Sequence, residues 1–469
     1  MLQTILTILG VFFALYMFGY ATFIMVGNLF ALWRLHRNQV RKRMQNQIDA
    51  NVSVPVSVLV PAYNEAETIL STIDNLLMAD FQLYEIVVID DGSTDETAKL
   101  VMEKYPLTRN TTPFQNVVKS APIKEVYTGT VDNRLITLIR KKNGGNKADA
   151  LNAGINVAKY PYIVAMDGDE ILQADALKKA ARNFLEDEKV IAVGGLIRVS
   201  NNVRFKNGYP IETRMSNNPV ISTQRLEYNR AFMASRVFSD MFNGNLNISG
   251  GFGMFKKEPV IQVGGYDSNS LGEDMDLVML LHHYHLSENT PYAMRYAPDA
   301  VCWTQVRFTV KDLGKQRARW RRGLIQSMWT HRNFFLNVRY GSVSLISFMY
   351  YFLYEFMSPL IELFGFLFII FALVTQTLNW PFALLIAGVY GLFNLINTVI
   401  FYTSNFLIGD FQMYRGDTLR VLWISLVDIL FIRPYLFLIR VYATITYRSR
   451  LHSWGKLTRS KMEESSQEN

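Results

Sequence analysis

The chain has 469 residues, half of them hydrophobic, and its 48 basic and 40 acidic residues give a net charge of +8. This length allows two or three domains. The basic residues cluster beside apolar segments, a pattern typical of membrane proteins, so we expect no nucleic-acid partner. A single cysteine, Cys302, excludes an internal disulfide and a cysteine-ligated metal cluster.

The first predicted element is a membrane helix in an N-terminal domain, 1–33. Residues 4–32 carry no charge and exceed the roughly 20 residues that are needed to cross a bilayer. They lack the basic start and the small-residue cleavage site of a signal peptide, so we expect a retained helix. A basic linker, 34–53, follows. Because Lys and Arg favour the cytoplasmic side, it places the N-terminus outside.

An α/β domain is predicted for residues 54–315. Apolar, β-rich runs at 54–60, 85–89, 134–140 and 162–166 are each followed by a turn and a helical segment. Strand, turn and helix repeated in this order indicate a mostly parallel sheet. Ligands of such sheets bind at the carboxyl ends of the strands.

Two segments inside this domain lack a clear period. Residues 105–133 carry Pro, Thr and Asn and are expected to be an irregular surface excursion. Residues 200–222 are rich in Asn and are expected to form a loop.

The C-terminal region 343–447 is predicted to hold transmembrane and re-entrant helices. Segments 343–374 and 381–408 are long enough to cross a bilayer, whereas 420–446 is interrupted by Arg433-Pro434.

A basic and then polar tail, 448–469, is expected in the cytoplasm, which requires an odd number of crossings. We expect three crossings, with 420–446 re-entrant or interfacial. The alternative is five, with that segment forming a hairpin.

Carboxylates follow two of the predicted strands. Asp90 and Asp91 end the second strand, and Asp167 and Asp169 follow the fourth. Hard oxygen ligands of this kind suit Mg²⁺ or Mn²⁺ bound to the phosphates of a substrate. An Asp-x-Asp pair is also a common solvated turn. Its position at the end of an apolar strand favours a metal site.

Asp274 lies at the start of a predicted helix, 275–285. A carboxylate there serves as a helix N-cap. It can also act as a general base that takes a proton from an acceptor hydroxyl. The two roles are compatible. Lys147 follows paired glycines and is similar to a phosphate-contacting lysine, but the P-loop pattern is missing, so hydrolysis of a nucleoside triphosphate is not expected.

The stretch Gln316-x-x-Arg319-Trp320 opens a predicted interfacial region, 316–342. The Gln amide and the Arg guanidinium can hold a diphosphate leaving group, and the Trp face can stack on a sugar ring. The alternative is an interfacial anchor, since Arg and Trp are common beside membranes. The acidic motifs that precede the stretch favour the catalytic interpretation.

Together these motifs resemble those of processive family 2 membrane glycosyltransferases, which include cellulose, chitin, hyaluronan and poly-N-acetylglucosamine synthases. Five motifs occur in the order found in that family: Pro61-Ala62-Tyr63-Asn64-Glu65, Asp90-Asp91-Gly92-Ser93, Asp167-Gly168-Asp169, Gly272-Glu273-Asp274 and Gln316-x-x-Arg319-Trp320. The resemblance covers about residues 50–335. The stretches 146–152 and 249–253 look closer to the N-acetylglucosamine polymer synthases.

The resemblance implies a GT-A fold, an α/β catalytic domain inserted between transmembrane helices. It implies Mg²⁺ or Mn²⁺ as the cofactor, a catalytic base, a diphosphate site and an acceptor platform. The substrate contacts that it implies are Tyr63, Glu65, Asp90, Asp91, Lys147, Asp167 and Glu273; the metal ligands are Asp169 and Asp167; the base is Asp274; the diphosphate contacts are Gln316 and Arg319; and Trp320 lies under the acceptor sugar.

The implied function is an inverting glycosyltransferase that polymerises a β-linked polysaccharide and exports it through its own transmembrane channel. The donor is expected to be a UDP-sugar, with UDP-N-acetylglucosamine or UDP-glucose favoured. One alternative is transfer of a single sugar to a lipid carrier, and another is a non-enzymatic receptor with a degenerate transferase domain. Expected partners are the donor, the growing glycan and the lipid bilayer, with room for accessory export or modification proteins. We expect a multi-pass plasma-membrane protein with a cytosolic catalytic domain.

Overall fold

The computed structural model describes residues 2–45, 54–408 and 415–450. Its strands are β1 Val56–Ala62, β2 Tyr84–Asp90, β3 Thr108–Arg109, β4 Ile123–Val131, β5 Arg134–Lys141, β6 Tyr162–Ala165, β7 Ile171–Leu172, β8 Val190–Val199, β9 Val203–Lys206, β10 Tyr209–Thr213, β11 Gly253–Lys256 and β12 Ala293–Thr304. Its α-helices are α1 Leu2–Gln45, α2 Ile69–Leu77, α3 Thr97–Lys104, α4 Lys147–Val157, α5 Ala176–Glu186, α6 Pro219–Arg230, α7 Arg236–Asp240, α8 Lys257–Gln262, α9 Glu273–Ser287, α10 Val310–Thr330, α11 Ser358–Val374, α12 Trp380–Ile408, α13 Arg415–Val427 and α14 Arg433–Ile445. Helical turns of π type occupy Ala231–Ser235, Val343–Phe348, Tyr351–Phe356 and Asp428–Ile432.

The described residues form one 10-stranded sheet in the order β3-β4-β5-β2-β1-β6-β11-β8-β12-β7. Strands β5, β2, β1 and β6 are parallel neighbours, and β8 pairs in parallel with β12. Strands β4, β11 and β7 run against the rest. The sheet is therefore mixed but mostly parallel, as predicted.

The central strands are buried on both faces. Adjacent residues of a central strand pack into different apolar clusters, one on each face of the sheet. In β1, Val58 belongs to one cluster and Leu59 to the other; in β2, Ile86 and Val87 are divided in the same way. Helices therefore cover both faces of the sheet, as continuous β-branched runs require. In register, Ala62 lies opposite Asp90, and Asp90 opposite Arg140. The polar residues that follow these strands thus share one edge.

Two predictions of irregular structure are wrong. Segment 105–133 contains β3 and the nine-residue strand β4, which pairs antiparallel with β5. Segment 200–222 contains a separate β9–β10 hairpin. Half-exposed edge strands rich in Thr, Lys and Glu lack the apolar signal by which buried strands are recognised.

The candidate membrane helices differ from the predicted ones in the position at which a helix is bent. Three helices in the described part of the chain are long and apolar enough to cross a membrane: Leu6–Arg37, Trp380–Thr398 and Leu419–Ile445. A fourth candidate, the pair Val343–Phe356 and Ser358–Val374, is bent by 44°.

The prediction that Arg433-Pro434 interrupts the last segment is therefore wrong. Pro434 lies at the start of α14, directly after the π turn Asp428–Ile432, and the helix continues through both. A wider turn shifts the hydrogen-bond pattern, which is one way in which a helix tolerates the missing proline N–H. The bend occurs instead at Met357, just before Pro359.

The predicted linker 34–53 and tail 448–469 lie only in part within the described residues, which end at 45 and at 450. In α1, the side chain of Arg34 forms an ion pair with Asp240 at the end of α7. This contact joins the first membrane candidate to the α/β domain.

Candidate active site

The loops after β1 and β2 are fastened to each other at the carboxyl edge of the sheet. Thr94 donates its backbone N–H to Asn64 Oδ1 at 2.8 Å, and Asn64 donates to Ser93 Oγ at 3.0 Å. Asn64 has a φ of 57°, a left-handed conformation that Asn tolerates. Tyr63, next to Asn64, is half exposed. Glu65 is buried, and its carboxylate accepts a hydrogen bond from Thr68 Oγ1 at 3.0 Å.

Asp90 and Asp91 have different surroundings. Asp90 Oδ1 accepts the backbone N–H of Ser93 at 2.9 Å and shapes its own loop. Asp91 accepts from Gly144 N at 3.0 Å and forms an ion pair with Lys141, which also lies 2.6 Å from Asp149 Oδ1. Lys141 has no exposed surface. Burial raises the pKa of Asp91, and the Lys141 charge opposes that rise.

Sequence reasoning missed Lys141. It stands at the end of a predicted strand without a motif around it. Only the fold shows that it joins β5, β2 and the first turn of α4. It thereby holds the glycine turn before Lys147.

Lys147 lies in the centre of the charged groups. Its Nζ is 2.5 Å from Asp167 Oδ1 and donates to the carbonyl oxygen of Gly250 at 2.7 Å. Burial lowers the pKa of Lys147, but the carboxylates of Asp167, Glu273 and Glu170 outweigh this and raise it above its usual value. Lys147 is therefore held as a cation.

The carboxylates after β6 form a graded series from solvent to core. The Asp167 side chain is 41% exposed, whereas Glu170 is buried. Burial and the neighbouring Asp167 raise the pKa of Asp169 to about 6. Burial also raises the pKa of Glu170 well above its usual range, and Cys302 Sγ donates to its carboxylate at 3.1 Å.

Glu170 also escaped sequence reasoning, because it follows the Asp-x-Asp motif without a spacing signal of its own. A Cβ at Gly251 would come within 2.3 Å of its carboxylate oxygen, so the glycine at 251 makes room for it. Burial raises the pKa of the Cys302 thiol well above its usual range, which disfavours a reactive thiolate.

The proposed base lies beside this cluster. Asp274 Oδ2 accepts the backbone N–H of Gly250 at 3.2 Å, and its Oδ1 accepts from Met275 N at 2.8 Å. The Gly250 peptide unit is thus bonded to Lys147 on one side and to Asp274 on the other. Burial, and then the charge of Asp274, raise the pKa of Glu273 to about 7.

Helix α10 brings the last motif to the same place. It begins at an N-cap, Thr309, whose hydroxyl accepts from Asp312 N at 3.1 Å. The helix contacts the loop before Asp274, because Gln326 Oε1 accepts from Leu271 N at 3.0 Å, and the positive charge of Arg319 lowers the pKa of Glu273. Gln316 Oε1 is buried with no hydrogen-bond partner among the described residues.

Trp320 lies at the solvent side of α10. Its side chain is 42% exposed, and the Arg317 guanidinium lies 4.1 Å from the ring centroid. Arg317 itself is paired with Glu227 at 2.6 Å. The indole is therefore held by a cation on one face.

The donor set fits a hard divalent cation. Asp167 and Asp169 offer carboxylate oxygens at one strand end. The described residues contain no group of three or more His, Cys, Asp or Glu side chains placed to hold a metal on their own. Mg²⁺ is commonly bound by one or two carboxylates together with substrate phosphates and water. The two aspartates suffice for such a site.

A family model described as glycosyl transferase family group 2 matches residues 162–403, just over half of the chain. The chain belongs to this family. A second model, glycosyl transferase family 2, matches residues 57–115, so the loops after β1 and β2 are covered as well. The family predicted from the five motifs is confirmed.

Several curated relatives of this family 2 glycosyltransferase are poly-beta-1,6-N-acetyl-D-glucosamine synthases. That of Staphylococcus aureus (strain COL) is 32% identical over 288 residues, which are 61% of this chain and 58% of the relative. That of Staphylococcus epidermidis is 30% identical over 280 residues, 59% of this chain and 57% of the relative. The match therefore spans less than two thirds of the length of these relatives.

A solved structure has the same fold over most of both chains. A mannosyltransferase from Pyrobaculum calidifontis, in complex with GDP-Man and Mn²⁺, gives a TM-score of 0.53 at 20% identity. The likeness covers 92% of this family 2 glycosyltransferase and 99% of that chain. At this identity it carries the fold alone, and the predicted GT-A-like fold is confirmed.

Proposed function

We propose that this membrane-associated family 2 glycosyltransferase polymerises a β-linked polysaccharide from a UDP-sugar and exports it through its own membrane helices. UDP-N-acetylglucosamine is the favoured donor, because several relatives at 30% identity or more are synthases of an N-acetylglucosamine polymer. One observation carries the proposal. The Gly250 peptide unit joins Lys147 to Asp274, and the charge of Arg319 on α10 acts on Glu273, the residue before Asp274.

Asp274 is proposed as the general base. A sugar hydroxyl is a poor nucleophile at neutral pH, so a carboxylate must take its proton as the new bond forms. The hydroxyl oxygen attacks the anomeric carbon, the bond to the diphosphate breaks, and the proton goes to Asp274. Direct displacement of this kind inverts an α-linked donor to a β-linked product.

The leaving diphosphate gains charge in the same step. Arg319 and Gln316 are proposed to receive it, with Lys147 on the opposite side. Prepositioned donors of this kind stabilise charge that develops only in the transition state. Gln316 would donate to the diphosphate through its amide N–H groups, while its buried oxygen, which has no partner among the described residues, could accept from a substrate hydroxyl.

The nucleotide is proposed to lie over the loops after β1 and β2, where Tyr63, Glu65, Asp90 and Asp91 contact it. Glu273 is proposed to face the sugar. Asp169, with Asp167, would hold Mg²⁺ or Mn²⁺, which supplies charge that offsets the phosphates when bound. Lys147, bonded to Asp167 here, would exchange part of that contact for a phosphate oxygen.

The product is proposed to leave along the membrane helices. Aromatic rings of α1 face those of the π turn Tyr351–Phe356, and the Tyr16 and Tyr354 ring centroids are 5.1 Å apart. Tyr20 lies 5.2 Å from Tyr354 in the same way. Aromatic faces bearing hydroxyls suit the stacking and hydrogen bonding of sugar rings. Trp320 is proposed to hold the acceptor sugar at the entrance to this path.

The test is the product that purified protein makes from a panel of UDP-sugars with Mg²⁺ or Mn²⁺. UDP release identifies the donor, and product sizing separates a polymer from a single transferred sugar. We expect a polymer from UDP-N-acetylglucosamine. A lipid-linked monosaccharide would support transfer to a lipid carrier instead, and no UDP release with any donor would contradict both.

A further inference from the structure

The bend in the membrane pair Val343–Phe356 and Ser358–Val374 leaves two carbonyl groups without their helical donors. Pro359 has no N–H to donate to the carbonyl of Glu355, four residues earlier. Leu360, which would normally bond to Phe356, donates to Met357 O at 3.1 Å instead. Carbonyls released at a kink in a membrane helix must find another donor, because lipid supplies none.

The hydrogen-bond donor comes from α10, the helix that carries Gln316, Arg319 and Trp320, called the catalytic helix below. Arg321 of α10 donates from Nη1 to Glu355 O at 2.6 Å and from Nη2 to Phe356 O at 2.5 Å. Its Nε donates to Thr444 Oγ1 of α14 at 2.9 Å. Arg321 is 4% exposed, so these bonds are shielded from water. The planar fork of a guanidinium matches two adjacent carbonyls, which the single ammonium of lysine cannot do.

The same three elements are joined on the far side of the bend. Arg440 of α14 donates to both carboxylate oxygens of Glu362, at 2.9 and 3.2 Å, and to Ser358 Oγ at 3.3 Å. On α10, a Cβ at Gly314 would lie 2.3 Å from the Tyr435 hydroxyl, so α10 and α14 are in close contact. The bent pair, α14 and α10 therefore form one connected unit.

We propose that Arg321 is a positioning residue that couples the catalytic helix to the bent membrane pair. It holds the bend by binding both released carbonyls. Trp320, the preceding residue of the same helix, is thereby held at a constant place relative to the membrane segment. The value of this coupling for chain elongation rests on the proposed function, since a polymer must pass from Trp320 into the membrane helices.

The first experiment measures products of Arg321→Gln and Arg321→Lys in purified full-length protein. Lys311→Gln, on the exposed start of α10, is the control. We expect UDP release and the KM for UDP-N-acetylglucosamine to stay within about threefold of the wild type, while polymer length falls at least tenfold. Polymer of normal length from Arg321→Gln would overturn the proposal.

A second substitution distinguishes two roles of Arg321: positioning α10 relative to the membrane pair, and satisfying the free carbonyl groups at the bend. Pro359→Ala restores an N–H for the Glu355 carbonyl. Added to Arg321→Gln, it should recover thermal stability but leave the polymers short, because the bend is no longer set by α10. Recovery of polymer length together with stability would reduce Arg321 to a helix cap and overturn the proposal.

A distance measurement tests the coupling without any product. Spin labels at Lys315→Cys on α10 and Phe366→Cys on α11 use two exposed sites, and the native Cys302 is buried. We expect one narrow distance distribution in the wild type and a clearly broader one in Arg321→Gln. Equal distance distributions in the wild type and in Arg321→Gln would overturn the coupling, whatever product the enzyme makes. A product that carries one transferred sugar would instead overturn the proposed polymerisation and leave the coupling standing.

Discussion

At the scale of single residues, the site depends on a backbone group. The Gly250 N–H bonds to Asp274 and the Gly250 carbonyl bonds to Lys147. A Cβ at this position would lie 3.2 Å from Lys147 Nζ and 3.7 Å from Asp274 Oδ2. A side chain here would therefore crowd the space between Asp274, the proposed base, and Lys147.

Asp274→Asn should bind donor normally and fail in transfer. An amide of the same shape keeps one hydrogen bond to Gly250 but cannot take a proton. We expect UDP release in the presence of acceptor to fall by about 10²-fold or more, with the Kd for the donor changed less than threefold. Glu288→Gln, just after the end of α9 and exposed, is the matched control. A normal transfer rate for Asp274→Asn would remove Asp274 from the chemistry.

Asp169→Asn should abolish metal-dependent UDP release while leaving the fold unchanged. Because the pKa of Asp169 is raised to about 6 without metal, protons compete with the cation below that pH. At limiting Mn²⁺, activity of the wild type should fall as pH drops through about 6 and should recover when Mn²⁺ is raised. Asp132→Asn, on an exposed turn, is the control. A pH profile that is insensitive to Mn²⁺ concentration would argue against this ligand.

Glu273 should make the metal-free protein less stable as pH rises. Its pKa is 4.5 in the unfolded chain and about 7 in the folded one. Between these values the unfolded state releases a proton that the folded state keeps, so stability falls from about pH 4.5 to 7 and is level above. At about 1.4 kcal/mol per pKa unit, the effect should be at most about 3 kcal/mol. Glu273→Gln should flatten the upper part of this slope in thermal unfolding; Asp169 contributes below about pH 6. An unchanged slope would contradict the assignment.

At the scale of elements, α10 also holds the loop that carries the base. Gln326 accepts from Leu271 N at 3.0 Å and donates to Asn269 O at 2.8 Å. Five residues further along, directly after the end of α10, His331 Nε2 lies 2.7 Å from Asp276 Oδ1 in α9. The helix that carries Gln316 and Arg319 therefore also contacts the loop before Asp274 and the helix that follows it.

Gly323→Ala should uncouple stability from activity. A Cβ at Gly323 would lie 3.1 Å from the backbone of Gly272 and Leu271, so the loop before Asp274 must move. Alanine favours a helix over glycine by about 1 kcal/mol, so the melting temperature should not fall. We expect transfer to drop roughly tenfold, since small misplacements of reacting groups are costly. Gly388→Ala, with open space around its Cβ, is the control. Full activity in Gly323→Ala would contradict the role of this contact.

Elements with a strong local signal were predicted, and those that depend on distant partners were not. The central strands carry continuous apolar runs, and the acidic motifs follow them directly. Strand β12 contains Pro298 and Asp299 and gives no such run, so it was missed. Lys141 and Glu170 acquire their roles only through residues far along the chain. The sequence predicted a break at Arg433-Pro434 and none at Met357. In the structure the helix continues through Pro434 because a π turn precedes it, and the bend lies at Met357 instead.

At the scale of the whole molecule, the placement of the α/β domain relative to the membrane decides whether the enzyme meets its donor. Basic residues such as Arg34 and Arg37 follow the first span, which favours a cytosolic domain. Nucleotide sugars are made in the cytosol. With the domain inside, the bent pair would carry the chain outward, and the turn between α11 and α12 would lie outside.

Cysteine labelling of intact cells with an impermeant reagent tests this arrangement. Gln115→Cys, exposed in the α/β domain, should stay unlabelled, whereas Gln376→Cys, exposed between α11 and α12, should react. The native Cys302 is buried and should give little background. Labelling of Gln115→Cys from outside would invert the topology.

Ser449→Cys decides the number of crossings. Leu419–Ile445 is long and apolar enough to cross the membrane. If α12 brings the chain back to the cytoplasm and this last helix crosses, residue 449 would lie outside. The basic residues Arg448 and Arg450 oppose this, because moving them across a membrane is disfavoured. We expect residue 449 to remain inside and unlabelled, with the last helix lying in the membrane without crossing it, held by Arg321 and the Arg440–Glu362 pair. Strong labelling at 449 would show a fourth crossing and would make Leu419–Ile445 a full wall of the export path.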